Sequence, residues 1–255
     1  HTPLSIRFIP VSGCIPQSHC GSPMFIIGHR GARAVEPENT LRAIRTGMDC
    51  ANYVEVDVRL SREGIPVIMH DTMLDRTTNG TGPVNAHTLE ELKSLDAGRG
   101  ESIPTLEEVC RLVSGRCGLF VEIKERGSET AISRVIREFG LKDLFVVSFH
   151  QESIIAALSH LPGVRTGIIV SKDTASLPGA AQELGIDAVL PKFALLNDAL
   201  IAEYHARDLL VVSWTLNTPE EFMVAASLGI DGFATDDPCR ARKYFQARKK
   251  FHESE

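Results

Sequence analysis

No cysteine pair in this chain stands at CxxC spacing and none has the histidine spacing of a zinc site, so its six cysteines carry no metal-finger or dithiol signature. They read as buried or incidental thiols of an intracellular protein, apart from Cys14 and Cys20, which lie in sequence of another kind. No apolar run approaches the roughly 20 residues of a membrane-spanning helix. Basic charge is not concentrated either. The 27 Lys and Arg face 33 Asp and Glu, for a net charge of −6, and only Arg248-Lys249-Lys250 forms a basic run. That excludes a nucleic-acid partner, which needs a dense basic face. Residues 1–23, broken by prolines and without helical or strand period, lack both the positive and the unbroken apolar regions of a signal peptide. They read as a leader or an extension added for expression, and the missing targeting signal leaves a cytoplasmic location as the expectation.

What is present is ordinary globular composition, 43% hydrophobic and 24% charged, in 255 residues. From Met24 onward, short apolar runs alternate with amphipathic stretches. Strands are expected at 24–28, 53–58, 119–123, 144–149, 165–170, 187–190, 209–214 and 232–235. Helix starts are marked by Pro37-Glu38-Asn39-Thr40, by Thr105 before Leu106-Glu107-Glu108, and by Thr218-Pro219-Glu220-Glu221. Helix ends are expected at Gly47, Gly140, Gly185 and Gly229. About eight strand-helix units at this length point to an α/β fold, a closed (β/α)8 TIM barrel, as one domain over 24–255.

Residues 65–104 break the rhythm with turn-rich sequence and little periodic core, and are expected to form a small insertion over the barrel mouth. Residues 66–70 can fold back as a hairpin arm beside 53–58, which would carry His70 toward Glu55 and Asp57. The alternative is a parallel ninth strand.

Residues i and i+2 of a strand share a face, so "VEVD" sets Glu55 and Asp57 together and "VEIK" does the same for Glu122 and Lys124. If those faces line a barrel, burying the charges unpaired would cost several kcal/mol each, and an ion or ligand must compensate. Other strand ends carry His29, Arg30, Ser148, His150, Lys192, Trp214 and Asp236. Polar residues at the C-terminal ends of strands mark the catalytic face of such a barrel. Glu55, Asp57 and Glu122 make an oxygen-rich set suited to Mg²⁺ or Ca²⁺. His29 and His70 suit an acid and base pair, while Arg30 and Lys124 suit an anion such as phosphate. Together they describe phosphoryl ester cleavage.

The blocks "GHRGARAVEPENTLRAI", "YVEVDVRLSREGIPVIMHDTMLDRTTNGTGPV", "IPTLEEV", "VEIK", "SWTLN" and "DGFATDDP" closely resemble the glycerophosphodiester phosphodiesterase family, in order from about Met24 to Pro238. The resemblance implies a (β/α)8 barrel with a small insertion. It also implies hydrolysis of a small-molecule glycerophosphodiester to glycerol 3-phosphate and an alcohol, in glycerol and lipid metabolism. By the family pattern His29 and His70 are the acid/base residues, and Glu55, Asp57 and Glu122 hold a divalent metal ion, Mg²⁺ or Ca²⁺. Arg30 and Lys124 contact the phosphate and Trp214 lines the pocket. None of these positions departs from the pattern.

Neighbouring residues carry weaker expectations. Glu38 and Asn39 read as helix caps rather than ligand contacts, and Asp71 either orients His70 or caps a turn. His150 and Lys192 are placed on the leaving-group side, while His87, His160, His205 and His252 are expected in solvent. Two rival activities remain, a lysophospholipase D-type barrel, which needs an apolar groove, and a noncatalytic phosphometabolite-binding barrel. The sequence leaves the oligomeric state open.

Overall fold

The computed structural model describes residues 24–172, 181 and 183–252. Its strands are β1 (Phe25–Gly28), β2 (Tyr53–Leu60), β3 (Pro66–Ile68), β4 (Gly118–Ile123), β5 (Leu144–Ser148), β6 (Arg165–Val170), β7 (Ala188–Pro191), β8 (Leu210–Ser213) and β9 (Gly232–Thr235). Its helices are α1 (Leu41–Met48), α2 (Leu89–Lys93), α3 (Leu106–Val113), α4 (Glu129–Phe139), α5 (Gln151–His160), α6 (Asp198–His205), α7 (Pro219–Leu228) and α8 (Pro238–His252). All strands but β3 are parallel, and the sheet closes because β1 pairs with both β9 and β2. This is the expected (β/α)8 barrel. The expected leader, with Cys14 and Cys20, lies outside the described residues.

Strand alternation sorts the side chains into two cores. Val54, Val56 and Val58 of β2 and Leu119, Val121 and Ile123 of β4 point outward and pack with the helices. The intervening positions point into the barrel, where Phe25, Tyr53, Phe120 and Phe145 fill one end. Phe120 and Phe145 stack there with ring centroids 4.5 Å apart. Tyr53, Glu55 and Asp57 therefore share the inward face, aromatic below and acidic above.

β1 reaches only as far as Val54 on its side of β2, in the register Gly28↔Val54. The free upper edge of β2 is taken by β3, antiparallel, with Val58 opposite Ile68. The hairpin alternative holds, and the Met69 N–H donates to the Asp57 carbonyl at 2.9 Å. The insertion has a core of its own, which its sequence conceals. Val67, Met69, Leu74, Val84, Leu92, Ala97 and Ile103 are buried together.

Thr40, Thr105 and Thr218 cap α1, α3 and α7, the last two as capping boxes with Glu108 and Glu221. Gly140 and Gly229 end α4 and α7 in the left-handed conformation. Gly47 does not end its helix. It lies inside α1, where a Cβ would stand 2.6 Å from the Gly31 carbonyl oxygen, so its role is close packing against the turn after β1.

The cysteine reading needs correction. Cys50, just past α1, and Cys239, at the start of α8, form a disulfide across 189 residues with Cα atoms 4.8 Å apart. Cys110 is a buried thiol and Cys117 a half-buried one, as expected. His205 is also not a solvent histidine, since its Nε2 lies 2.9 Å from Asp231 Oδ2. His87 and His160 are half-buried, and the His252 side chain lies outside the described residues. No helix among the described residues is long and apolar enough to cross a membrane.

Candidate active site

β2 and β4 run side by side with Asp57 opposite Glu122. Glu55, Asp57 and Glu122 are all less than a tenth exposed, and each offers an oxygen within 4.8 Å of the others. Burial, reinforced by Asp57 and Glu122, raises the Glu55 carboxyl well above the usual range. Burial and Asp57 likewise push Glu122 up to about 7. Asp57 feels the same burial, yet Lys124 and Arg30 outweigh it and hold it below its ordinary value. Lys124 donates to Glu122 Oε1 at 2.6 Å and lies 3.3 Å from Asp57 Oδ1.

This donor set suits a hard divalent cation, being all oxygen and carboxylate. Glu55 Oε1 is buried without a hydrogen-bond partner, an arrangement that a bound cation would relieve.

Arg30 sits on the turn after β1 in the left-handed region, φ 49°. Gly31, at φ 84°, makes the turn possible, because a Cβ there would meet the Ala43 backbone at 2.4 Å. The Arg30 N–H donates to Glu55 Oε2 at 2.8 Å and its Nη1 donates to Glu38 Oε1 at 2.7 Å. Its Nε pairs with Asp57 Oδ2 at 3.2 Å, without the alignment of a hydrogen bond. Asn39 adopts φ 59° and its Nδ2 donates to Asp57 Oδ2 at 2.8 Å. Glu38 and Asn39 thus serve the site, and the capping expectation for them is wrong; Thr40 caps α1.

Each catalytic candidate histidine has a carboxylate behind it. His29 Nδ1 lies 2.6 Å from Asp236 Oδ1, and His70 Nδ1 lies 2.6 Å from Asp71 Oδ1. Burial tends to raise Asp236, but its bond to His29 wins and lowers it. The Arg76 bond, ahead of a smaller burial effect, holds Asp71 well below the usual carboxylate range. Both carboxylates therefore favour the ionised form, in which each can accept from an Nδ1–H and so orient its imidazole. Burial lowers the His70 pKa, favouring the neutral ring. The backbone of His70 is held as well, since the Arg59 side chain donates to its carbonyl twice, at 2.9 and 2.7 Å. Asp71 orients His70, settling its two readings.

A cavity of about 360 Å³ opens at the strand ends, and His29, Arg30, Glu55, His70, Glu122, Lys124 and Trp214 all line it. Asp57 lies beneath, 1% exposed. One wall is apolar, built from Phe120, Val147, Ile169, Leu190 and Val212 of the barrel strands. Trp214 meets Phe149 edge-on at 5.8 Å, and Lys124 stands 5.8 Å from the Phe149 ring. Neither His150 nor Lys192 joins this cavity; His150 lines a neighbouring one with Arg126 and Lys172. Sequence reasoning missed Glu38, Asn39, Arg59, Arg76 and Asn217, which donates to Asp236 Oδ2 at 3.0 Å. All five stand within or beside the motif blocks, and that proximity is their only sequence signal.

The fold and cavity define a barrel enzyme whose strand ends gather cations, carboxylates and two oriented histidines around one cavity. A family model described as the glycerophosphoryl diester phosphodiesterase family matches residues 29–240. A glycerophosphodiester phosphodiesterase of Caldanaerobacter subterraneus is 31% identical over 228 residues, 84% of this chain and 94% of the relative. The human glycerophosphodiester phosphodiesterase 1 is 31% identical over 239 residues, 76% of this chain and 72% of the relative. An Oleispira antarctica phosphodiesterase, solved with its product sn-glycerol-3-phosphate, superposes with a TM-score of 0.83 at 29% identity. That match covers 88% of this chain and 97% of the other. The chain belongs to the glycerophosphoryl diester phosphodiesterase family, and with it to the phosphoric diester hydrolases.

Proposed function

We propose that residues 24–255 form a single barrel domain that hydrolyses glycerophosphodiesters to glycerol 3-phosphate and an alcohol, with a divalent cation, Mg²⁺ or Ca²⁺, held by Glu55, Asp57 and Glu122. The observation that carries the reading is a buried acidic triad, two of whose members, Glu55 and Glu122, line the same cavity as two histidines each backed by an aspartate. When bound, the cation supplies positive charge to a nonbridging phosphate oxygen. Arg30 and Lys124 bind the same phosphate, and Trp214 with Phe149 walls the cavity. His29 and His70 divide the proton transfers: one takes the proton of the attacking oxygen, and the other gives a proton to the leaving alcohol oxygen. One P–O bond forms as another breaks. The attacking oxygen belongs either to water or to the substrate's 2-hydroxyl, with water then opening the cyclic phosphate.

The lysophospholipase D-type reading needs an apolar groove, whereas the five strand residues lining this cavity are packed barrel core, none more than 8% exposed. Cytoplasmic residence, in glycerol and lipid metabolism, predicts free thiols at Cys50 and Cys239. Their disulfide instead favours an oxidising compartment, and thiol counting on protein from its native cell distinguishes the two.

The test incubates the protein with glycerophosphocholine, glycerophosphoethanolamine or lysophosphatidylcholine, each with Mg²⁺, Ca²⁺ or EDTA. Glycerol 3-phosphate released from the first two with one metal and lost with EDTA is the expected result. Turnover of lysophosphatidylcholine alone would replace this reading with its rival, and no turnover at all would leave a binding barrel.

A further inference from the structure

Arg76 lies in the insertion, does not line the cavity, and is about half exposed. Its guanidinium nevertheless grips two carboxylates with two-pronged geometry. Nε and Nη2 donate to Asp71 Oδ2 and Oδ1 at 2.6 and 3.1 Å. Nη1 and Nη2 donate to Glu38 Oε2 and Oε1 at 3.0 and 2.7 Å. Asp71 Oδ1 is the oxygen that meets His70 Nδ1, and Glu38 Oε1 is the oxygen that accepts from Arg30 Nη1. A continuous chain, His70–Asp71–Arg76–Glu38–Arg30, therefore joins the insertion to the turn after β1.

Resting on the diesterase reading, we infer that Arg76 is a positioning residue: it orients His70 through Asp71 and Arg30 through Glu38, so that one side chain sets proton transfer and phosphate binding together. Only arginine has a planar fork able to serve both carboxylates; a lysine offers a single point charge. Arg59 already fixes the backbone of His70, and Arg76 governs its ring. An exposed ion pair without such a role contributes little to stability or rate. A partner that orients a working side chain from behind is commonly worth about 10–100-fold.

The test measures kcat, KM and Tm for the full chain as wild type, Arg76→Ala, Arg76→Lys, Asp71→Asn and the Asp71→Asn/Arg76→Ala double variant. Wild-type turnover that His70→Ala removes establishes the diesterase reading first; an inactive wild type overturns both inferences. The expected result for Arg76→Ala is a kcat about 10–100-fold lower and a raised KM, with Tm close to wild type. Millimolar guanidinium ion should restore part of the kcat in Arg76→Ala and none in the double variant, and Arg76→Lys should recover little. Near-normal kcat in Arg76→Ala overturns the inference, as does a loss that guanidinium cannot rescue and that adds independently to Asp71→Asn. Should Arg76→Ala fail to fold, near-normal kcat in Arg76→Lys has the same force.

Discussion

Asp71 and Asp236 do the same work for two histidines that reach the cavity from different loops, one by local contact and one across 207 residues. That difference explains what could be read at the residue scale. Glu55, Asp57, Glu122 and Lys124 were legible because strand alternation alone puts them on one face. Asp236 could be placed at a strand end, but its partner could not be named from sequence. Glu38 and Asn39 were misread because a proline followed by polar residues is also how a helix begins. Replacing His29 or His70 with Ala should lower kcat by about 10²–10⁴ while leaving Tm nearly unchanged, measured by steady-state kinetics and thermal unfolding. Near-normal rates in both variants would dismiss the acid and base pair.

Among the elements, the barrel strands were legible because a parallel strand buried on both faces reads as a short apolar run. The insertion was not, since its core assembles from seven residues spread over Val67 to Ile103 without helical or strand period. The disulfide was invisible for a related reason: Cys50 and Cys239 meet only because the closed sheet returns β9 to β1. Cross-linking residues so far apart restricts the unfolded chain, worth up to about 5 kcal/mol in a chain-entropy account. Cys50→Ser should therefore lower Tm markedly, and kcat well below the transition should stay unchanged because neither cysteine lines the cavity. An unchanged Tm would show that the bond does not form in solution.

At the scale of the whole molecule, an aromatic-filled barrel ends in a mouth where three buried carboxylates stand among cations; the ordered motif blocks made the barrel and its acidic mouth readable, and the aromatic filling is a finding of the structure. Without a metal the arrangement has a defined cost. Glu55 and Glu122 titrate above the ordinary carboxylate range, so between that range and about pH 7 the folded chain holds more protons than the unfolded one. For this pair, stability is present at the acid end of that window and falls as pH rises through it. A divalent cation must displace those protons, so its affinity must rise with pH. The most direct measurement is a calorimetric titration of Mg²⁺ and of Ca²⁺ into EDTA-treated protein at pH 6 and pH 8, for wild type and Glu122→Gln. The account predicts one site in the wild type for at least one of the two ions, tighter at pH 8 than at pH 6 and strongly weakened in Glu122→Gln. Absence of binding in the wild type, equal affinity in the variant, or tighter binding at pH 6 would contradict it.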